Sequence, residues 1–186
     1  MDMESDKIRL FIAAKLPARL NAQLSDYGGG YAAAHIKPVP AANLHLTLLF
    51  LGNTEAGKLT EIKRIVNTVA KNQRSFTLTA EVIEPGPKPS HPRLIWARFY
   101  PDPQFTQLCT RLQELLLPDT KIPDNYLPHV TLARINKQNR QGLILPYTRP
   151  AEPVAFKVNS ISIWQSQLAS PHPQYSVLQS YNLLPA

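Results

Sequence analysis

The chain has 186 residues, enough for a sizeable core, and 44% of them are hydrophobic, which excludes a disordered or fibrous protein. Its 20 Lys and Arg against 13 Asp and Glu give a net charge of +7, which favours a polyanionic partner such as RNA, although the cations are scattered. The single cysteine excludes an intrachain disulfide and a cysteine-based metal site, no apolar run reaches the ~18 residues of a membrane helix, and the opening Met1-Asp2-Met3-Glu4-Ser5-Asp6 is acidic where a signal peptide would be basic and then apolar, so the expected location is the cytoplasm, away from membranes.

Residues 8–14 read as a strand, followed by a short helix that starts at Pro17, carries Leu20 and Leu24, and ends at Gly28 to Gly30. Those glycines lack a preceding strand and a following Gly-Lys-Ser/Thr, so they make no phosphate-binding loop. A strand over 43–51 stops at Gly52, and Thr54 is expected to cap a helix with Leu59, Ile62, Val66 and Val69 on its apolar face. The cations Lys58, Lys63, Arg64, Lys71 and Arg74 read as the solvated side of that helix. Two strands near 76–83 and 93–100 flank the turn-rich segment 85–92. Asp102-Pro103 then opens a helix through Leu116, whose apolar stripe includes Cys109 as a buried structural thiol. Strands over 128–134, 154–164 and 174–183 complete the chain, with 18 prolines as punctuation.

One phrase occurs twice, His45-Leu46-Thr47-Leu48 and His129-Val130-Thr131-Leu132. In a strand, residues i and i+2 share a face, so each histidine projects beside its threonine and opposite the apolar residues. A lone His-x-Thr is usually a half-buried histidine beside a good strand former. A repeated one with matching apolar flanks points instead to two imidazoles and two hydroxyls across a cleft, an acid, a base and two neutral donors suited to splitting a phosphate ester without metal. The motifs lie nearly half the chain apart, which predicts two lobes, each contributing one motif strand, in an antiparallel α+β architecture with helices on the outer faces.

These residues resemble the two-histidine phosphoesterase superfamily, and within it the RNA 2′,3′-cyclic phosphodiesterases historically called 2′-5′ RNA ligases. Besides the motifs, the likeness rests on Arg9-Leu10-Phe11-Ile12-Ala13 with Leu16-Pro17, on the block from Asn43 to Gly52, on Pro92-Arg93-Leu94-Ile95-Trp96, on Pro128 to Arg134, and on the late Ser166 and Tyr175. Lys15 and Leu127 depart from common family residues at positions outside the chemistry. The resemblance implies one domain over residues 1–186, a bilobal α+β fold of two antiparallel β-sheets with outer helices and a pseudo-twofold internal repeat around a central cleft. It also implies no metal, no cofactor and a product bearing a 2′-phosphate.

On this reading the substrates are RNA ends or nucleotides with a 2′,3′-cyclic phosphate, and the protein acts as a monomer. His129 is assigned as base and His45 as acid protonating O3′, with the converse left open, while Thr47 and Thr131 hydrogen-bond the nonbridging oxygens. Phe50 and Arg134 each follow their motif histidine by five residues. Strict alternation turns both away from the cleft, yet the resemblance brings them to the substrate, where a ring and a guanidinium plane suit stacking on a base. His35, His91 and His172 are expected in solvent-exposed loops, Arg93 near the cleft, and Trp96 and Trp164 in the core rather than as base platforms. Three competing readings stand beside hydrolysis: a ligase joining a cyclic phosphate end to a 5′-hydroxyl by running the chemistry in reverse, a noncatalytic RNA-binding module, and a metallohydrolase, for which only Asp124 lies near a motif histidine.

Overall fold

The computed structural model describes residues 6–31, 33–139, 145–150 and 154–186, so all but Asp6 of the acidic start considered above lies outside the described residues. Among the described residues nine strands and three longer helices follow in the order β1 (Lys7–Lys15), α1 (Ala18–Gly29), β2 (Ile36–Pro38), β3 (His45–Glu55), α2 (Leu59–Ala70), β4 (Phe76–Gly86), β5 (Leu94–Phe99), α3 (Pro103–Leu116), β6 (His129–Ile135), β7 (Ala155–Val158), β8 (Ser160–Gln167) and β9 (Gln174–Asn182). Among the described residues no helix is long and apolar enough to cross a membrane.

The strands run β7-β4-β5-β6-β3-β1-β8-β9, with β2 added beside β6, and every named pair is antiparallel. The path divides into two four-stranded halves in which β5-α3-β6 mirrors β1-α1-β3, the internal repeat expected from the two motifs. The halves meet between β6 and β3, where Leu46 and Val130 form the one paired position.

Each helix forms because apolar residues recur at three- and four-residue steps, and each buries that stripe: Leu20 and Leu24 from α1, Ile62, Val66 and Val69 from α2, Phe105, Leu108, Cys109 and Leu112 from α3. Full burial of such a side chain contributes about 1.5–3 kcal/mol. The first helix lies against β6 and the third against β3, so each motif strand is backed by the other half's helix. Close contact at α1 requires Gly28, since a Cβ there would come within 2.9 Å of the Leu132 carbonyl oxygen. Asp102 caps α3 as expected, its Oδ1 accepting from the Phe105 N–H at 2.8 Å.

Several boundaries differ from the sequence reading, among them the end of β4, which runs through Gly86 into the segment expected as turns. Strand β3 continues through Gly52, whose φ of 71° suits glycine, and ends at Glu55. Thr54 therefore lies in the strand and donates to the Gly52 carbonyl instead of capping α2, which starts at Leu59 with no side-chain cap. The stretch expected as one strand over 154–164 breaks at Asn159, because β7 pairs with β4 and β8 pairs with β1.

Candidate active site

Both histidines stand at the first position of their strands, His45 on β3 and His129 on β6. His45 Nδ1 lies 2.7 Å from the Asn43 carbonyl oxygen, and His129 Nδ1 lies 2.8 Å from the Leu127 carbonyl oxygen. A carbonyl only accepts, so each Nδ1 donates, and in each ring Nε2 is the nitrogen left for chemistry. The same bond to the residue two positions earlier occurs in both halves and fixes both tautomers alike.

Phe50 and Arg134 reach the same face through a bulge in each strand. Against β1, Ile12 pairs with Leu49 and Ala13 with Thr47, so Leu48 is an extra residue. Leu48 and Leu49 are buried in succession, the phase of alternation inverts, and Phe50 returns to the cleft side with 66% of its surface exposed. Against β5, Ile95 pairs with Ala133 and Trp96 with Thr131, so Leu132 is the extra residue and Arg134 emerges in the same way.

A single cavity of about 200 Å³ is lined by His45, Thr47 and Phe50 from β3 and by His129, Thr131 and Arg134 from β6. All six candidate residues are thus brought together. The Arg134 guanidinium has no acidic partner among the described residues, unlike Arg98 on β5, which is held by Glu81 at 2.6 Å and Glu84 at 2.8 Å.

The imidazoles sit against aromatic walls. His45 has the Phe11 ring at 4.9 Å, Trp164 at 5.6 Å and the edge of Tyr175 at 5.4 Å; His129 has Trp96 at 4.8 Å. Trp96 and Trp164 are buried as expected, with indole N–H groups lacking a hydrogen-bond partner among the described residues, and they serve the site by excluding water from the histidines. Burial is the largest influence on both rings. It brings His45 down to about 4 against the opposing bond to Asn43, with the charges of Arg134 and His129 lowering it further, and it lowers His129 against the bond to Leu127. Both are therefore neutral at pH 7.

The remaining histidines divide. His91 is exposed as expected, whereas His35 and His172, both expected in solvent-exposed loops, are half-buried, His172 in the wall of the cavity. His172 and Pro173 are carried there by the connection between β8 and β9, and Tyr175 by the start of β9. Asn43 pins that connection, its side-chain amide donating to the Pro173 carbonyl at 2.8 Å while its own carbonyl orients His45. Nothing local in the segment announces this role, which depends on β8 lying beside β1. Arg93 lines a neighbouring groove rather than the cavity. Among the described residues no three His, Cys, Asp or Glu side chains are grouped to hold a metal ion.

Residues 14–169 match the model of the 2′-5′ RNA ligase superfamily. The chain is 26% identical to the RNA 2′,3′-cyclic phosphodiesterase of Methanothermobacter thermautotrophicus, across 95% of this chain and 100% of that one. It is also 26% identical to the enzyme of the same name from Escherichia coli, across 96% and 98%. Among solved structures, a Thermus thermophilus protein superposes with a TM-score of 0.82 at 27% identity, covering 95% of this chain and 98% of that one. Escherichia coli LigT complexed with 3′-AMP superposes with a TM-score of 0.78 at 25% identity, covering 96% and 99%.

Proposed function

Because this chain belongs to the 2′-5′ RNA ligase superfamily, we propose that its cleft hydrolyses the 2′,3′-cyclic phosphate of an RNA or nucleotide end to a 2′-phosphate, with His45 and His129 as acid and base and no metal. The observation that carries this reading is the matched pair of imidazoles whose Nδ1 atoms are occupied by backbone carbonyls and whose rings line one cavity with two hydroxyls and the Arg134 guanidinium. The names of the relatives support it.

In the proposed reaction His129 Nε2 takes a proton from water as its oxygen bonds to phosphorus, and His45, protonated at Nε2, gives its proton to O3′ as the P–O3′ bond breaks. The products are a 2′-phosphate and a 3′-hydroxyl, with His129 charged and His45 neutral, and proton exchange with solvent restores the starting pair. Thr47 and Thr131 donate to the nonbridging oxygens, and Arg134 offsets the charge that builds there. Phe50 stacks on the terminal base.

The anionic phosphate opposes the effect of burial on the two rings. Brought beside two desolvated imidazoles, it favours their charged forms and so loads one of them with the proton it must donate. A 5′-hydroxyl in the place of water gives 2′-5′ joining by the same displacement with another nucleophile, so hydrolysis and ligation share one site. The test is to incubate the protein with a 2′,3′-cyclic nucleotide in the presence of EDTA and identify the product by 31P NMR. A 2′-phosphate is expected; a 3′-phosphate overturns the assigned bond cleavage, and binding without turnover favours the noncatalytic RNA-binding module.

A further inference from the structure

The catalytic cavity does not end at Arg134. A second depression shares Leu94, His129 and Arg134 with it and runs past Arg93 and Lys137. From Arg93 it continues over Lys88 and His91 on the β4–β5 connection. The backbone fixes this wall: the Ile135 N–H donates to the Arg93 carbonyl at 3.0 Å, the Arg93 N–H donates to the Gly86 carbonyl at 2.8 Å, and Leu94 pairs with Arg134 across β5 and β6.

Its charge is one-sided. Lys88, Arg93 and Lys137 extend the charge of Arg134, no Asp or Glu lines the groove, and none of these four cations has an ion-pair partner among the described residues. Like charges lining a groove repel one another until a polyanion neutralises them, and such a groove concentrates that polyanion at its mouth.

We propose that this groove binds the sugar–phosphate backbone of an RNA strand on the 5′ side of its cyclic-phosphate end, making oligonucleotides better substrates than mononucleotides. The proposal rests on the cyclic phosphodiesterase reading of the cavity. A strand that ends in a 2′,3′-cyclic phosphate has no chain beyond it, so whatever continues out of the cavity is the strand toward its 5′ end. Lys88, Arg93 and Lys137 meet its phosphates as point or planar charges and carry no base information, so the groove selects length and not sequence.

The experiment compares a 2′,3′-cyclic mononucleotide with an octaribonucleotide ending in a 2′,3′-cyclic phosphate, for the wild type and for the combined Lys88→Ser, Arg93→Ser, Lys137→Ser variant. Binding of an unreactive octaribonucleotide with a 3′-phosphate is followed by fluorescence anisotropy across a salt series. In the variant, KM for the octamer rises at least 10-fold while kcat and mononucleotide turnover hold, and the salt slope of octamer binding falls by about 2, from about 0.7 per lost phosphate contact. Equal effects on both substrates, unchanged octamer binding, or equal competition by polyglutamate would overturn the groove. Lack of turnover of either substrate by the wild type would overturn the catalytic reading instead, and the anisotropy series then decides the groove without it.

Discussion

Phe50 and Arg134 occupy equivalent places in the two halves: each stands two residues beyond an extra leucine, Leu48 in β3 and Leu132 in β6, that turns it from the buried face to the cleft. Phe50 is expected to hold the base. Phe50→Ala should raise KM about 5- to 150-fold, since stacking of one base is worth about 1–3 kcal/mol, with little change in kcat. Steady-state kinetics on a cyclic nucleotide check this, and a loss confined to kcat would contradict a base-stacking role.

Loss of either imidazole should exceed loss of either hydroxyl. An acid or base contributes about 10² to 10⁴ in rate, and one donor to a phosphoryl oxygen about 10² to 10³. His45→Ala and His129→Ala should retain product binding through Phe50, Arg134 and the threonines. A substrate with a better leaving group than O3′ should rescue His45→Ala and leave His129→Ala inactive; the opposite pattern exchanges the two roles.

The pH profile should differ between the free protein and its complex. In the free protein both histidines titrate below 6.5, His45 at about 4, so a singly protonated pair peaks on the acid side. The kcat/KM bell should therefore centre below pH 6.5, while the kcat bell moves to higher pH because the bound phosphate favours charged imidazoles. EDTA should change neither. Superimposable bells would show that the phosphate does not load the acid.

Stability carries the same signature. A histidine whose folded pKa is depressed contributes stability that is present above the unfolded value of 6.5 and is lost as pH falls through the folded value of about 4. The drop corresponds to at most about 3 kcal/mol. Melting temperatures should fall more steeply between pH 6.5 and 4 in the wild type than in His45→Gln. Parallel curves would mean that His45 is not held neutral by burial.

Gly86 guards His129 at one remove. A Cβ there would stand 2.5 Å from Cε2 of Trp96, the indole against His129. Overpacking of this kind costs about 1–3 kcal/mol. Gly86→Ala should lower the urea midpoint and reduce kcat as the displaced indole tilts His129, and an unchanged kcat beside a lowered midpoint would show that the imidazole does not depend on Trp96.

The meeting of the two motifs in one cavity was legible because the chain repeats a four-residue phrase whose period-two spacing survives into the strands, and α3 was legible because Asp102 caps it locally. Period-two reasoning also put Phe50 and Arg134 on the wrong face, since a bulge is set by the partner strand and leaves no mark at Leu48 or Leu132. His172 and Asn43 were missed for a similar reason: their roles exist only once the β8–β9 connection is folded over β3. Asn159 looked like the middle of a strand because each neighbouring segment alternates, but the apolar phase shifts across it, from Phe156 and Val158 to Ile161 and Ile163, where the partner changes from β4 to β1.

That change of partner at Asn159 sets an order of assembly. Strands β4 to β7 are contiguous in the chain and can pair as soon as they leave the ribosome, whereas Leu10 of β1 finds Gln165 of β8 only after about 150 intervening residues, a closure whose entropic cost grows with the logarithm of loop length. Until then β1 presents an open edge to the cell, a template for pairing with other chains. Hydrogen-exchange pulses during refolding should accordingly find the amides of β4 and β5 protected before those of β8, and the half that carries His45 should be the last to become competent and the first to need a chaperone.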